Sequence, residues 1–138
     1  MNRIVINTDG GSRGNPGPGA IGFVVCENDK EIHRVGKCIG KTTNNQAEYL
    51  AVLEALSYLE KEKKGQEEVI FRIDSELVVK QLNGEYKVKD EKLKPIFLKI
   101  REKIIGLGMN VSFVHVRREQ NKIADSLVNK ALDEERKL

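Results

Sequence analysis

The sequence predicts an α/β domain: a five-stranded mixed sheet, its first three strands antiparallel, with helices on both faces. Three observations point there. Apolar β-branched runs and runs of helical period follow one another in the order β-β-β-α-β-α-α-β-α. The second and third strands are joined by a tight turn, an initial antiparallel hairpin, whereas the later strands alternate with helices, and together these imply a mixed sheet with helices on its faces. The length, 138 residues, suits one domain spanning 1–138, with a core that needs no staples.

Arg3–Thr8 is a short β-branched strand ending at Asp9. Gly10–Gly19 holds five glycines and two prolines and reads as a loop, not the interior of a strand or helix. Its last residues and those beyond, Gly17-Pro18-Gly19-Ala20-Ile21-Gly22, fit a dinucleotide-binding glycine pattern. That pattern must open a helix, and an apolar β-run follows instead, so it is rejected. Ala20–Glu27 and Glu31–Cys38 are two strands turning near Asn28–Asp29.

Thr43-Asn44-Asn45-Gln46 is a capping box, and the long helix it opens carries Ala47, Leu50, Ala51, Ala55, Leu56 and Leu59 at helical spacing. The charged run Glu60–Lys64 and then Gly65 end it. Val69–Ile73 is the fourth strand. Ser75 starts a short helix to about Leu82, broken by Asn83-Gly84. A further helix runs from about Lys92 to Ile105, with Pro95 tolerated in its first turn. Val111–Val116 is the fifth strand, and Asn121 caps a last helix whose buried stripe is Ala124, Leu127, Val128 and Ala131.

The formal net charge is only +3, so bulk charge does not announce a polyanion binder. Between Tyr86 and Ile105, however, seven Lys/Arg stand against three acids, a local excess able to meet phosphates or simply to solvate a helix face. Cys26 faces Glu31 across its hairpin and Cys38 lies far off, so a disulfide is not expected, and two thiols with little nearby His make a poor metal site. The first thirty residues lack the plan of a signal peptide and no apolar run reaches membrane-spanning length. A cytoplasmic protein with no membrane partner is expected.

Four acids carry the chemistry. If strands one and four are parallel neighbours, Asp9 and Asp74 emerge at the same carboxyl-terminal edge, where open α/β sheets place ligands. Glu48 and Asp125 lie near the starts of two helices that can point into the same crevice. Each has an ordinary alternative as a turn, surface or helix-start acid. Together they suit hard divalent cations, because several clustered carboxylates without a cation would repel one another. Two such ions serve phosphodiester hydrolysis, activating a water and stabilising the departing alkoxide.

The blocks Thr8–Gly19, Thr43–Glu48, Ile73-Asp74-Ser75 and Asn121–Asp125 occur in that order, and the chain closely resembles the type 1 ribonuclease H family from about Arg3 to Leu132. The resemblance implies a ribonuclease H-like fold and cleavage of the RNA strand of an RNA/DNA hybrid by a monomer. It implies that Asp9, Glu48, Asp74 and Asp125 bind two Mg²⁺, with Mn²⁺ as an alternative, and that Asp9 and Asp74 bridge or ligate directly. It assigns Asn15, Asn44 and Asn45 to RNA 2′-hydroxyls and base edges, and Thr43 to a DNA phosphate. Gly10 and Gly11, beside Ser12, let the backbone approach the nucleic acid.

The sequence departs from the family pattern in three places. The stretch before the last acid, Val116–Gln120, lacks the family's frequent loop His; His115 falls on the strand, and Arg117 or Arg118 stands in electrostatically. Glu76 replaces an RNA-contacting Gln and, with the altered loop, leaves double-stranded RNA open as an alternative substrate. A non-cutting hybrid-binding module is a separate alternative, against which the full set of four acids argues. The Lys-rich segment Lys87–Lys94 is short and has no tryptophan.

Overall fold

Side-chain alternation along β1 (Arg3–Ser12) sets the first layer: Ile4 and Ile6 are fully buried, while Arg3 is exposed and Val5 and Asn7 are half-buried. The computed structural model describes residues 2–62 and 68–136. β1 pairs antiparallel with β2 (Gly17–Glu27), and β2 with β3 (Lys30–Thr42). The β2–β3 turn has Asn28 and Asp29 at φ 51° and 69°, the two left-handed residues that a tight hairpin needs. β4 (Glu68–Ile73) adds parallel to the other side of β1, and β5 (Asn110–His115) adds parallel to β4. The order is β3-β2-β1-β4-β5, the mixed sheet expected.

The glycine-rich stretch differs from its expected form. β1 runs through Gly10 and Gly11 to Ser12, and β2 begins at Gly17, so only a short turn separates them. Pairing with β2 supplies the order that these residues lack intrinsically, as in the partners Gly10↔Ile21 and Ser12↔Gly19. β3 is also longer than expected at both ends, and β5 sits one residue earlier, although Val116 N–H still donates to Ile73 O at 2.9 Å.

α1 (Asn44–Lys61) opens on the expected box: Thr43 Oγ1 accepts from Gln46 N–H at 3.2 Å, and Gln46 Oε1 accepts from Thr43 N–H at 3.0 Å. It buries Ala47, Ala51, Ala55, Leu56 and Leu59 as read, and also Tyr49 and Val52, while Leu50 is half-buried. Burying a Leu fully stabilises by about 1.5–3 kcal/mol. The expected stop at Gly65 lies outside the described residues; α1 ends at Lys61.

α2 (Glu76–Leu82) starts on Ser75, whose Oγ accepts from Val78 N–H, and Asn83 after it donates to Phe113 O at 3.1 Å, covering part of the β5 edge. α3 (Lys94–Leu107) begins two residues later than expected because Pro95 fits only at the very start of a helix. α1, α2 and α3 share the main core with Ile4, Ile6, Val69 and Phe71. α4 (Lys122–Arg136) packs on the opposite face through Val128 and Leu132 against Ala20. Leu132 joins Ala124 and Val128 as buried positions, whereas Leu127 and Ala131 are half-buried.

Cys26 does lie opposite Glu31, Cys38 pairs with Ala20, and both thiols are free. Among the described residues no helix is long and apolar enough to cross a membrane.

Candidate metal centre and nucleic-acid cleft

The parallel ladder between β1 and β4 ends at Thr8↔Ile73, so the next residues on each, Asp9 and Asp74, stand side by side where the two strands part. The strand expected to end at Asp9 instead continues to Ser12. Asp9 stays paired with Gly22 of β2 on one flank, while the β4 ladder on the other flank ends one residue earlier.

Two glycines let helices come close enough to bring the other acids. A Cβ on Gly10 would lie 2.2 Å from the carbonyl oxygen of Ala47, so the bare backbone lets α1 touch β1. Glu48 follows Ala47, and its Oε1 accepts the Gly10 N–H at 3.0 Å. A Cβ on Gly22 would lie 2.5 Å from the carbonyl oxygen of Ala124. Gly22 is the cross-strand partner of Asp9, and Asp125 follows Ala124, so this contact brings Asp125 to Asp9.

Carboxylate oxygens of Asp9, Glu48 and Asp74 all lie within 4.8 Å of one another. Asp125 is in hydrogen-bonding reach of Asp9. Asp9 is only 8% exposed and Glu48 only 9%. Burial, then the charges of Asp74 and Asp125, pushes the Asp9 carboxyl up to about 7, against a smaller opposing pull from the Gly10 N–H. Burial foremost, with Asp9 and Asp74 next, holds Glu48 well above the usual carboxylate range. Acids gathered at this expense in solvation fit a hard cation: every donor is oxygen, and no thiol or imidazole stands among them.

The four acids line one cleft of about 360 Å³ with Gly10, Gly11, Ser12, Asn44, Asn45 and Arg118. Asn44 Oδ1 accepts from Ser12 N–H at 2.9 Å, and Asn15 Oδ1 accepts from Asn44 N–H at 3.0 Å. Both carbonyl oxygens are thereby engaged, so each asparagine has its NH₂ end left to donate to a ligand. Asn15 supports the wall from outside the cleft lining. Thr43 serves as the α1 cap, Arg117 is exposed beside the cleft without lining it, and Glu76 is exposed and ion-paired with Lys80 at 3.2 Å. His115 ends β5 with an exposed side chain and does not line the cleft, whereas Arg118 does.

Other contributors were not foreseen. Arg13 and Asn129 line the cleft, and Arg13 ties the β1–β2 turn to α4 through Asp133 at 2.6 Å. Asn121 differs from its expected part as a side-chain cap. It is 1% exposed, donates to Thr8 O at 2.9 Å and accepts from Asn7 Nδ2 at 3.0 Å. Its amide thus bolts the start of α4 to β1, leaving only its backbone carbonyl to begin the helix, with Asp125 N–H at 3.1 Å. The sole signal in the sequence was an Asn before a helix, which fits either role.

A protein-family profile described as reverse transcriptase-like matches residues 7–131. A protein named ribonuclease HI from Halobacterium salinarum is 42% identical over 133 residues, covering 96% of this chain and 65% of that protein. A bifunctional protein of Mycobacterium tuberculosis is 36% identical over 133 residues, 95% of this chain but 36% of its own length. The chain therefore spans less than two thirds of either relative. Among solved structures, LC11-RNase H1 in complex with RNA/DNA hybrid superposes with a TM-score of 0.91 at 46% identity, covering 95% of this chain and 97% of that one. With its sheet order, its four blocks and this likeness over nearly its whole length, the chain belongs to the type 1 ribonuclease H family.

Proposed function

We propose that this chain is a metal-dependent endoribonuclease that hydrolyses the RNA strand of RNA/DNA hybrids, leaving 5′-phosphate and 3′-hydroxyl ends. It acts as a single catalytic domain, 1–138, monomeric and cytoplasmic. One observation carries the reading: four acids from four separate elements meet in a cleft walled by amide donors. The 46% identity to a ribonuclease H1 solved with a hybrid supports it.

Asp9, Glu48, Asp74 and Asp125 would hold two Mg²⁺, or Mn²⁺ in their place. Bound there, the ions would supply an activated water and stabilisation of the leaving oxygen in an in-line displacement. The chain's own residues position the strand. Asn44 and Asn45, with Asn15 behind them, offer amide donors to 2′-hydroxyls, the group that separates RNA from DNA. Gly10, Gly11 and Ser12 admit the sugar–phosphate backbone closely. Arg118 faces the same cleft, and its guanidinium, charged at any working pH, binds a phosphate but cannot shuttle a proton. Water adds to phosphorus, the P–O3′ bond breaks, and the 3′ oxygen leaves with a proton.

The test is one gel with labelled RNA/DNA hybrid, double-stranded RNA and double-stranded DNA, each with Mg²⁺ and with Mn²⁺. Cutting of the hybrid's RNA strand, abolished by Asp9→Asn, is expected. An uncut hybrid under both ions overturns the proposal, and preferential cutting of double-stranded RNA would reassign the substrate.

A further inference from the structure

We propose that Tyr49 and Gln81 form a positioning pair that fixes the spacing of Glu48 and Asp74 and thereby sets the cleft's affinity for divalent cations. The inference rests on reading the acid cluster as a cation site.

Tyr49 is fully buried and Gln81 is 9% exposed. The Tyr49 hydroxyl donates to Gln81 Oε1. These residues belong to different helices, and each helix carries or follows one of the acids. Tyr49 is the residue after Glu48 on α1. Gln81 sits on α2, which starts two residues after Asp74 and is capped by Ser75, so Asp74 and α2 form one rigid corner. The phenol–amide bond therefore joins the body that holds Glu48 to the body that holds Asp74.

Those two bodies have a reason to separate. Their carboxylates lie within 4.8 Å of one another and of Asp9, and like charges in a poorly solvated cleft repel. The Gly10 N–H restrains Glu48 on the β1 side. On the Asp74 side the Tyr49–Gln81 bond supplies the matching restraint. Packing alone does not call for a hydroxyl here, since phenylalanine would fill the same volume. A buried phenol is unfavourable unless its hydroxyl is bonded. Its presence makes sense through its partner on α2.

Isothermal titration of the full chain with MnCl₂ and with MgCl₂ tests this on Tyr49→Phe, Gln81→Met and the double variant, with Leu59→Ala as a control. Leu59 is fully buried at the far end of α1. Each single variant is expected to weaken ion binding roughly tenfold, the low end of what groups that orient metal ligands contribute. The double variant should bind no worse than either single one, because all three delete the same bond. Leu59→Ala should unfold at lower temperature with ion affinity intact. With hybrid substrate, raising Mg²⁺ should restore Tyr49→Phe kcat at an unchanged KM. Parent-like ion affinity in Tyr49→Phe and Gln81→Met overturns the pair, as does an equal loss in Leu59→Ala. Pair-dependent ion binding in a parent that cuts no hybrid would instead overturn the nuclease reading and leave the pair standing.

Discussion

Glu48 Oε1 accepts the backbone N–H of Gly10 at 3.0 Å across 38 positions of sequence, with both groups buried. The bond exists because Gly10 has no side chain to hold α1 away. Gly10→Ala would drive a methyl into the Ala47 carbonyl, and the helix must retreat. Overpacking of this kind costs roughly 1–3 kcal/mol, occasionally more. Urea denaturation should show that loss together with weakened Mg²⁺ dependence of cutting. Gly11→Ala is the contrast, since its nearest neighbour would be 3.7 Å away and the urea midpoint should hardly move.

The raised carboxyls make the metal-free protein sensitive to pH in a direction opposite to ordinary acid denaturation. Asp9 holds its proton to about pH 7 when folded, whereas an unfolded aspartate loses it near 4. Across that window the folded state binds more protons, so its contribution to stability is complete below pH 4 and is lost as pH rises through about 7. Scanning calorimetry in chelator should therefore give a melting temperature that falls from pH 5 to pH 8. The slope should be at most about 1.4 kcal/mol per pH unit per proton. Asp9→Asn should flatten it, and Mg²⁺ should raise the pH 8 value by mass action.

Asn121→Ala removes the bolt between β1 and α4 and leaves the buried Thr8 carbonyl without its donor. A loss of about 1–3 kcal/mol is expected by chemical denaturation. Because Asp125 rides on the same helix start, kcat should drop more than KM rises. A rise in KM with kcat unchanged would place the effect on binding alone.

Arg118 lines the cleft alongside Asp74 and Asp125. Arg118→Ala should raise KM for the hybrid and reduce the slope of log KM against log salt by about one, the signature of one lost phosphate contact. Thermal stability should stay unchanged, since Arg118 is exposed.

The sequence disclosed most where one physical signal dominates locally. The capping box at Thr43 and Gln46 and the β-branched runs of β1 and β4 needed only propensity and period. The acids were legible as a set through the four sequence blocks that resemble the type 1 ribonuclease H family; taken singly, each had an ordinary alternative as a turn, surface or helix-start acid. The glycine stretch misled because strand order there comes from pairing, which residues 10–19 do not advertise in their composition. Asn121 misled for a related reason, since a local cap and a bond to a strand 113 residues away draw on the same amide. Tyr49 and Gln81 were not legible at all: their meeting depends on how α1 and α2 dock, which no local pattern encodes.

β1 at the sheet's centre binds β2, delivered at once by a hairpin, and β4, which reaches it only after α1 has been made. A nascent chain that has released its hairpins and α1 owns Asp9 and Glu48 and neither of their partners. Asp74 arrives with the first long-range strand pairing, and Asp125 only with the final helix. Such pairings are slow to close because loop entropy is lost before contacts repay it. The four-acid cleft is thus complete only once α4 has docked, so any reaction that needs all four acids must wait until the chain has folded through α4.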